Sequence, residues 1–231
     1  MQRRQFIKFC AASAAVSPQA IAASDARPHL YARAKLVDED GKPLAASAVS
    51  EGRNLVFDYP YAATPCFLLN LGHPVRESVR LSTADHRSYE WSGGVGASRS
   101  IVAYSAICAH KLTYPTHQIS FISYRTEASA RNPHAHVIHC CSEHSQYDPA
   151  RGARVVAGPA PQPLAAILLE HDDADDSLTA IGTLGGEMFQ QFFEKFRFRL
   201  AMEIGPSAHQ AVSGSAVVVP LERYCRQLVK C

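Results

Sequence analysis

Two short stretches of this 231-residue chain each hold a thiol close to an imidazole. One is Cys108-Ala109-His110; the other runs Cys140-Cys141-Ser142-Glu143-His144. Two thiolates and two neutral imidazoles can hold a tetrahedral zinc ion. They can also hold a [2Fe–2S] cluster, with cysteines on one iron and histidines on the other. The second stretch has two registers. Cys141 with His144 preserves a C-x-x-H spacing and supplies the second imidazole, so Cys108, His110, Cys141 and His144 are the expected metal ligands. Starting instead from Cys140 puts the carboxylate of Glu143 at the fourth position. His134, His136 and His139 precede this stretch, and a His-x-His pair on a strand would share one face. Their polar, irregular surroundings read as a loop carrying surface histidines.

Ser145-Gln146-Tyr147-Asp148 follows at once, and Gly158-Pro159-Ala160-Pro161 comes about ten residues later. A C-x-H loop, a C-x-x-H loop followed by S-x-[YF]-D, and a proline-rich G-P-x-P loop, in that order, resemble a Rieske iron–sulfur domain. The resemblance spans 99–169, and the lead-in 100–111 is similar to the small Rieske subunits of arsenite oxidases. It implies a [2Fe–2S] cofactor, with Ser145 donating to a bridging sulfide and Tyr147 to a cysteine sulfur. Gly158 and Pro159 would lie in the loop that covers the cluster. Such a protein relays single electrons between an oxidoreductase partner or quinol and a c-type cytochrome-like carrier. The partner would be a larger subunit, molybdenum-containing or cytochrome b-type. The alternative is a degenerate or zinc-binding module of the same fold with a structural or assembly role. Many quinol-oxidising members carry a disulfide between the ligand loops. Here Thr113 and Ser142 or Glu143 stand at those places, so that bridge is absent.

A formal charge of +2 gives no reason to expect nucleic acid as a partner. The segment Gln2-Arg3-Arg4-Gln5-Phe6-Ile7-Lys8 resembles a twin-arginine export signal. A short Ala-rich stretch and the small-x-small sequence Ala20-Ile21-Ala22 follow it. Residues 1–23 are therefore expected to be a signal that takes a folded, cofactor-loaded protein to the periplasm; a retained signal would leave it membrane-associated. In such an oxidising compartment one disulfide among Cys66, Cys225 and Cys231 is expected.

The elements that must position these groups are mostly short and extended. Apolar alternation and Gly/Pro punctuation predict strands at 30–37, 54–59, 65–72, 101–107, 119–124, 164–169, 178–182 and 215–220. The segment 65–72 is apolar enough to be buried on both faces. Residues 125–136 read as an insertion and 172–176 as an acidic, solvated turn. Phe189, Phe192, Phe193 and Phe196 recur at i, i+3, i+4 and i+7 and predict a helix over 187–204. That stripe serves either packing on the chain's own sheet or docking of a larger subunit. A short helix is expected over 221–229. The fold class is all-β, an antiparallel sandwich or small barrel with an inserted cluster-binding subdomain and a C-terminal helical extension. The β domain takes 24–184, with the subdomain at about 105–163, and the helix and tail take 185–231.

Overall fold

The computed structural model describes residues 26–129 and 133–231; the expected signal, 1–23, lies outside them. The strands are short. In chain order they begin with β1 (His29–Val37), β2 (Leu55–Asp58), β3 (Pro65–Asn70), β4 (Val79–Ser82), β5 (Ser88–Trp91) and β6 (Ile101–Ser105). Next come β7 (Ile119–Ser120), β8 (Ile122–Arg125), β9 (Val137–Cys140), β10 (Gln146–Asp148) and β11 (Arg154–Ala157). The remainder is β12 (Ala166–Asp172), β13 (Ser177–Leu184), α1 (Phe189–Glu203), β14 (Gly214–Val217), β15 (Val219–Pro220), α2 (Leu221–Tyr224) and β16 (Gln227–Leu228).

Eight strands form one sheet in the order β14-β1-β13-β12-β6-β3-β2-β15. Its two edges are consecutive in sequence, with only Val218 between them, so one tail segment pairs with both outer strands. The amide of Val218 also donates to the Val37 carbonyl at 2.8 Å. The sheet thus curls into a nearly closed barrel, which leaves little strand edge open to unwanted pairing. Period-two alternation divides its side chains between two cores. Leu36, Phe57, Cys66, Leu68, Ala103, Ile167 and Ala180 fill the interior. Phe67, Leu69, Val102 and Tyr104 face outward against the inserted subdomain. Burial of 65–69 on both faces follows from this, as the apolar run predicted.

The insertion leaves the barrel after β6 and returns at β12, which pair with each other at Tyr104 and Ala166. Within it, β11-β10-β9-β8 form a four-stranded antiparallel sheet. Two ties hold it in place. The Tyr104 hydroxyl donates to the Pro149 carbonyl at 2.7 Å. Asn54 bonds the Tyr124 backbone twice, accepting at 2.6 Å and donating at 2.9 Å.

Helix α1 begins two residues later than predicted and ends one earlier. Phe189, Phe192 and Phe193 are buried against Ile107, Leu112 and Tyr114, residues that flank Cys108 and His110. The aromatic stripe therefore packs within the chain, but on the first loop rather than on the sheet, and Lys195 donates to the Lys111 carbonyl at 2.6 Å. Phe198 and Met202 remain exposed on the outer side. Glu187, just ahead of the helix, accepts from Tyr31 at 3.0 Å and from Thr183, tying β1 and β13 to the helix entry. The helix predicted over 221–229 stops at Tyr224. Beyond it, Gln227 and Leu228 pair in parallel with Ile119 and Ser120, and that ladder holds the backbone extended. No helix among the described residues is long and apolar enough to cross a membrane.

Candidate metal centre

The first loop follows β6 and folds back on itself. Cys108 donates its amide to the Thr113 carbonyl at 2.8 Å, and Leu112 donates to the Cys108 carbonyl at 2.9 Å. Leu112 adopts a positive φ of 63°, closing the turn. The second loop joins β9 to β10. Cys140 donates to the Ser145 carbonyl at 2.9 Å and His144 to the Cys140 carbonyl at 2.7 Å, with His144 at φ 59°. The third loop leaves β11 through Gly158, also at positive φ. A Cβ there would lie 2.4 Å from the His144 carbonyl oxygen and 2.6 Å from the Ser145 Cα. Only glycine lets the third loop lie against the second this closely. Gly158 and Pro159 are themselves exposed, at the rim.

These loops bring Cys108 and Cys140 together, both as free, fully buried thiols. The neighbouring Cys140 thiol draws Cys108 below the ordinary thiol range, and Cys108 in turn holds Cys140 above it. Two adjacent buried thiols are suited to a soft or borderline metal, whose binding displaces their protons. The Tyr147 hydroxyl sits 3.2 Å from the Cys108 sulfur and accepts the Ala109 amide at 3.1 Å. Burial, and then the charge on Cys108, push the Tyr147 phenol well above its ordinary range, so it remains a donor. Beside the thiols, His110 Nδ1 lies 3.6 Å from a Glu143 carboxylate oxygen. That carboxylate is 3.3 Å from Lys111 Nζ. His110 Nδ1 and Ser145 Oγ are both buried with no hydrogen-bond partner. Buried polar atoms are normally paired, and two orphans beside two thiols mark space shaped for a group that would satisfy them.

The structure brings only half of the expected ligand set, Cys108 and His110, to this point. Cys141 is bonded to Cys231 in a disulfide across 90 positions of sequence, so its sulfur is no thiolate. His144 is exposed and turns toward His139, with ring centroids 6.2 Å apart. The register that joins the first loop is the other one, Cys140 with Glu143. The reason is strand alternation. Cys140 ends β9 facing the buried side, and the next residue must face the opposite way.

The disulfide also differs from the expectation among Cys66, Cys225 and Cys231. Cys231 is bridged, but to Cys141, while Cys66 and Cys225 stay free and buried. Burial pushes the Cys225 thiol up to about 12 and the Cys66 thiol well above its usual value. His139, read as a surface histidine, is buried on β9, and desolvation pushes its imidazole down to about 4. His134 and His136 are exposed, and the Tyr124 hydroxyl lies 3.2 Å from His136 Nδ1.

No family profile matches the chain. Among solved structures, the soluble domain of the Rieske protein II (soxF) from Sulfolobus acidocaldarius is similar at 24% identity and a TM-score of 0.47. That match covers 68% of this chain and 82% of the other.

Proposed function

We propose that this chain is a Rieske-type electron-transfer subunit whose cluster is held by Cys108, Cys140, His110 and Glu143. The observation that carries the reading is the convergence of the C-x-H and Cys140–Glu143 loops on one buried point. When bound there, a [2Fe–2S] cluster supplies reversible one-electron chemistry. Cys108 and Cys140 would provide the two thiolates, and His110 the single imidazole. Glu143 would stand where a second imidazole is expected and add a negative charge, which favours the oxidised form. Lys111, 3.3 Å from that carboxylate, offsets part of the charge. Tyr147 would donate to the Cys108 sulfur, and Ser145 has an unpaired hydroxyl available to donate. Donors of this kind stabilise the more negative state. The third loop, pressed on the second through Gly158, would keep water from the thiols.

In this reading the protein is exported by the residues 1–23 signal and works in the periplasm. There it relays electrons between a larger oxidoreductase subunit, molybdenum-containing or cytochrome b-type, and a c-type cytochrome-like carrier. The rim formed by Gly158 and Pro159 is exposed and offers the place of close approach.

Glu143 favours one second reading. Two thiolates, one imidazole and one carboxylate also make a tetrahedral zinc site, which would give the module a structural role. Iron and acid-labile sulfide per chain, with low-temperature EPR of the reduced protein, separate the two. A cluster gives a signal with a mean g below 2, whereas zinc gives none. Cys140→Ser should abolish the cluster, and Cys141→Ser should retain iron and sulfide. The opposite pattern would return the ligand role to Cys141.

A further inference from the structure

The half of the second loop that turns away from the proposed cluster gathers a donor set of its own. Ligand atoms of His139, Cys141 and Cys231 all lie within 4.8 Å of one another. His139 Nδ1 is 3.4 Å from the Cys231 sulfur. His144 adds a second imidazole from the same turn, its ring 6.2 Å from that of His139 and exposed. Thiolates at about 2.3 Å and imidazoles at about 2.0 Å from a tetrahedral ion lie roughly 3.3–3.8 Å from each other. The His139–Cys231 separation already falls in that range. The two bonded sulfurs must part to about 3.8 Å, and the exposed His144 ring must swing inward.

We propose that, with the Cys141–Cys231 bridge reduced, Cys141, Cys231, His139 and His144 form a second site for a borderline-soft divalent ion such as zinc. A thiol reductant supplies two electrons. The Cys141–Cys231 bond breaks, each sulfur takes one proton, and the reductant closes its own disulfide. Binding of the ion then releases both protons and leaves two thiolates on the metal. A disulfide-forming oxidant reverses the sequence, takes two electrons from the thiolates and expels the ion. The chain terminus would thus be strapped to the second loop in either redox state, by metal in a reducing compartment and by a covalent bond in an oxidising one. This site uses none of the proposed cluster ligands and stands whether or not a cluster binds.

The test uses the full chain with the two thiols of the proposed cluster site removed, Cys108→Ser with Cys140→Ser, titrated with cobalt(II) as the probe. After reduction it should bind one cobalt per chain with thiolate charge-transfer absorption and intense visible bands of a tetrahedral ion. Oxidised protein should bind none. Adding Cys231→Ser should remove the charge-transfer band or weaken binding at least tenfold, and His139→Ala should weaken binding likewise. No cobalt uptake by the reduced protein, or uptake unchanged by Cys231→Ser, overturns the proposal. If the parent variant fails to fold, the wild-type chain is loaded with iron and sulfide, reduced and exposed to zinc. One zinc per chain that Cys231→Ser abolishes supports the site, and zinc uptake independent of Cys231 overturns it. Iron content in the same samples reports separately on the cluster.

Discussion

Cys140 and Cys141 are chemically identical neighbours, and their fates differ because strand geometry points them in opposite directions. One meets Cys108 in the core, and the other meets the chain terminus. Tyr147 makes a similar point about the residues around a ligand. It is fully buried, with its hydroxyl between the Cys108 sulfur and the Ala109 amide. Tyr147→Phe should leave cluster content intact and lower the midpoint potential by roughly 20–65 mV. That is the one-electron equivalent of a hydrogen bond worth about 0.5–1.5 kcal/mol. Protein-film voltammetry would measure it, and an unchanged potential would remove Tyr147 from the donors.

Asp58 makes a prediction in pH. Its Oδ1 is buried without a partner, and desolvation raises its carboxyl from 3.8 to about 7. Between those values the unfolded chain gives up the proton while the folded chain keeps it, so stability falls as pH rises from about 4 to about 7. A shift of that size corresponds to at most about 4 kcal/mol, reduced by the surface that Asp58 retains. Asp58→Asn should flatten that part of the stability curve in urea titrations at pH 4, 5.5 and 7. An unaltered curve would show that the carboxyl stays solvated.

At the scale of elements, the notable feature is that a C-terminal helix supports a loop from the middle of the chain. Phe192 is completely buried, edge-on to Tyr114 at 4.8 Å between ring centroids. Tyr114 lies four residues past His110, so the aromatic stripe of α1 sets the shape of the Cys-x-His turn. Phe192→Ala should cost about 3–5 kcal/mol in denaturant unfolding, the usual range for emptying a buried aromatic site. It should also loosen metal retention, because the cavity opens beneath the first loop. A loss below 1 kcal/mol would mean that the helix is only loosely seated.

Seen whole, the molecule is held together by its last eighteen residues (214–231). They supply β14 and β15 to the two edges of the barrel, pair β16 with β7, and end in the bond to Cys141. Arg125 donates to the Cys231 carbonyl at 3.3 Å, a further tie from the inserted subdomain to the terminus. Cross-linking positions 90 apart restricts a long loop in the unfolded chain. Cys231→Ser should therefore lower stability by about 2–5 kcal/mol. Unfolding of the oxidised wild type and the variant, without reductant, checks this. Equal midpoints would show that the terminus is not bridged in solution.

Much of this architecture was legible in the chain itself. Strands 101–107 and 65–72, the aromatic helix and the three loops in their order all rest on local signals: alternation, helical spacing, and Gly/Pro turns. Cys108 and His110 could be singled out because their spacing lies within one turn, whereas Ser145 and Tyr147 were marked only by the resemblance of their loop to a family motif. Several features needed the tertiary structure. Cys140 or Cys141, Glu143 or His144, the partner of Cys231 and the closure of the barrel by 214–220 each depend on groups distant in sequence. A one-residue change of register reverses the face of every side chain, and composition favours neither register. The choice came from what lay across the gap. A second thiol and an imidazole waited on one side, and a cysteine 90 residues downstream waited on the other.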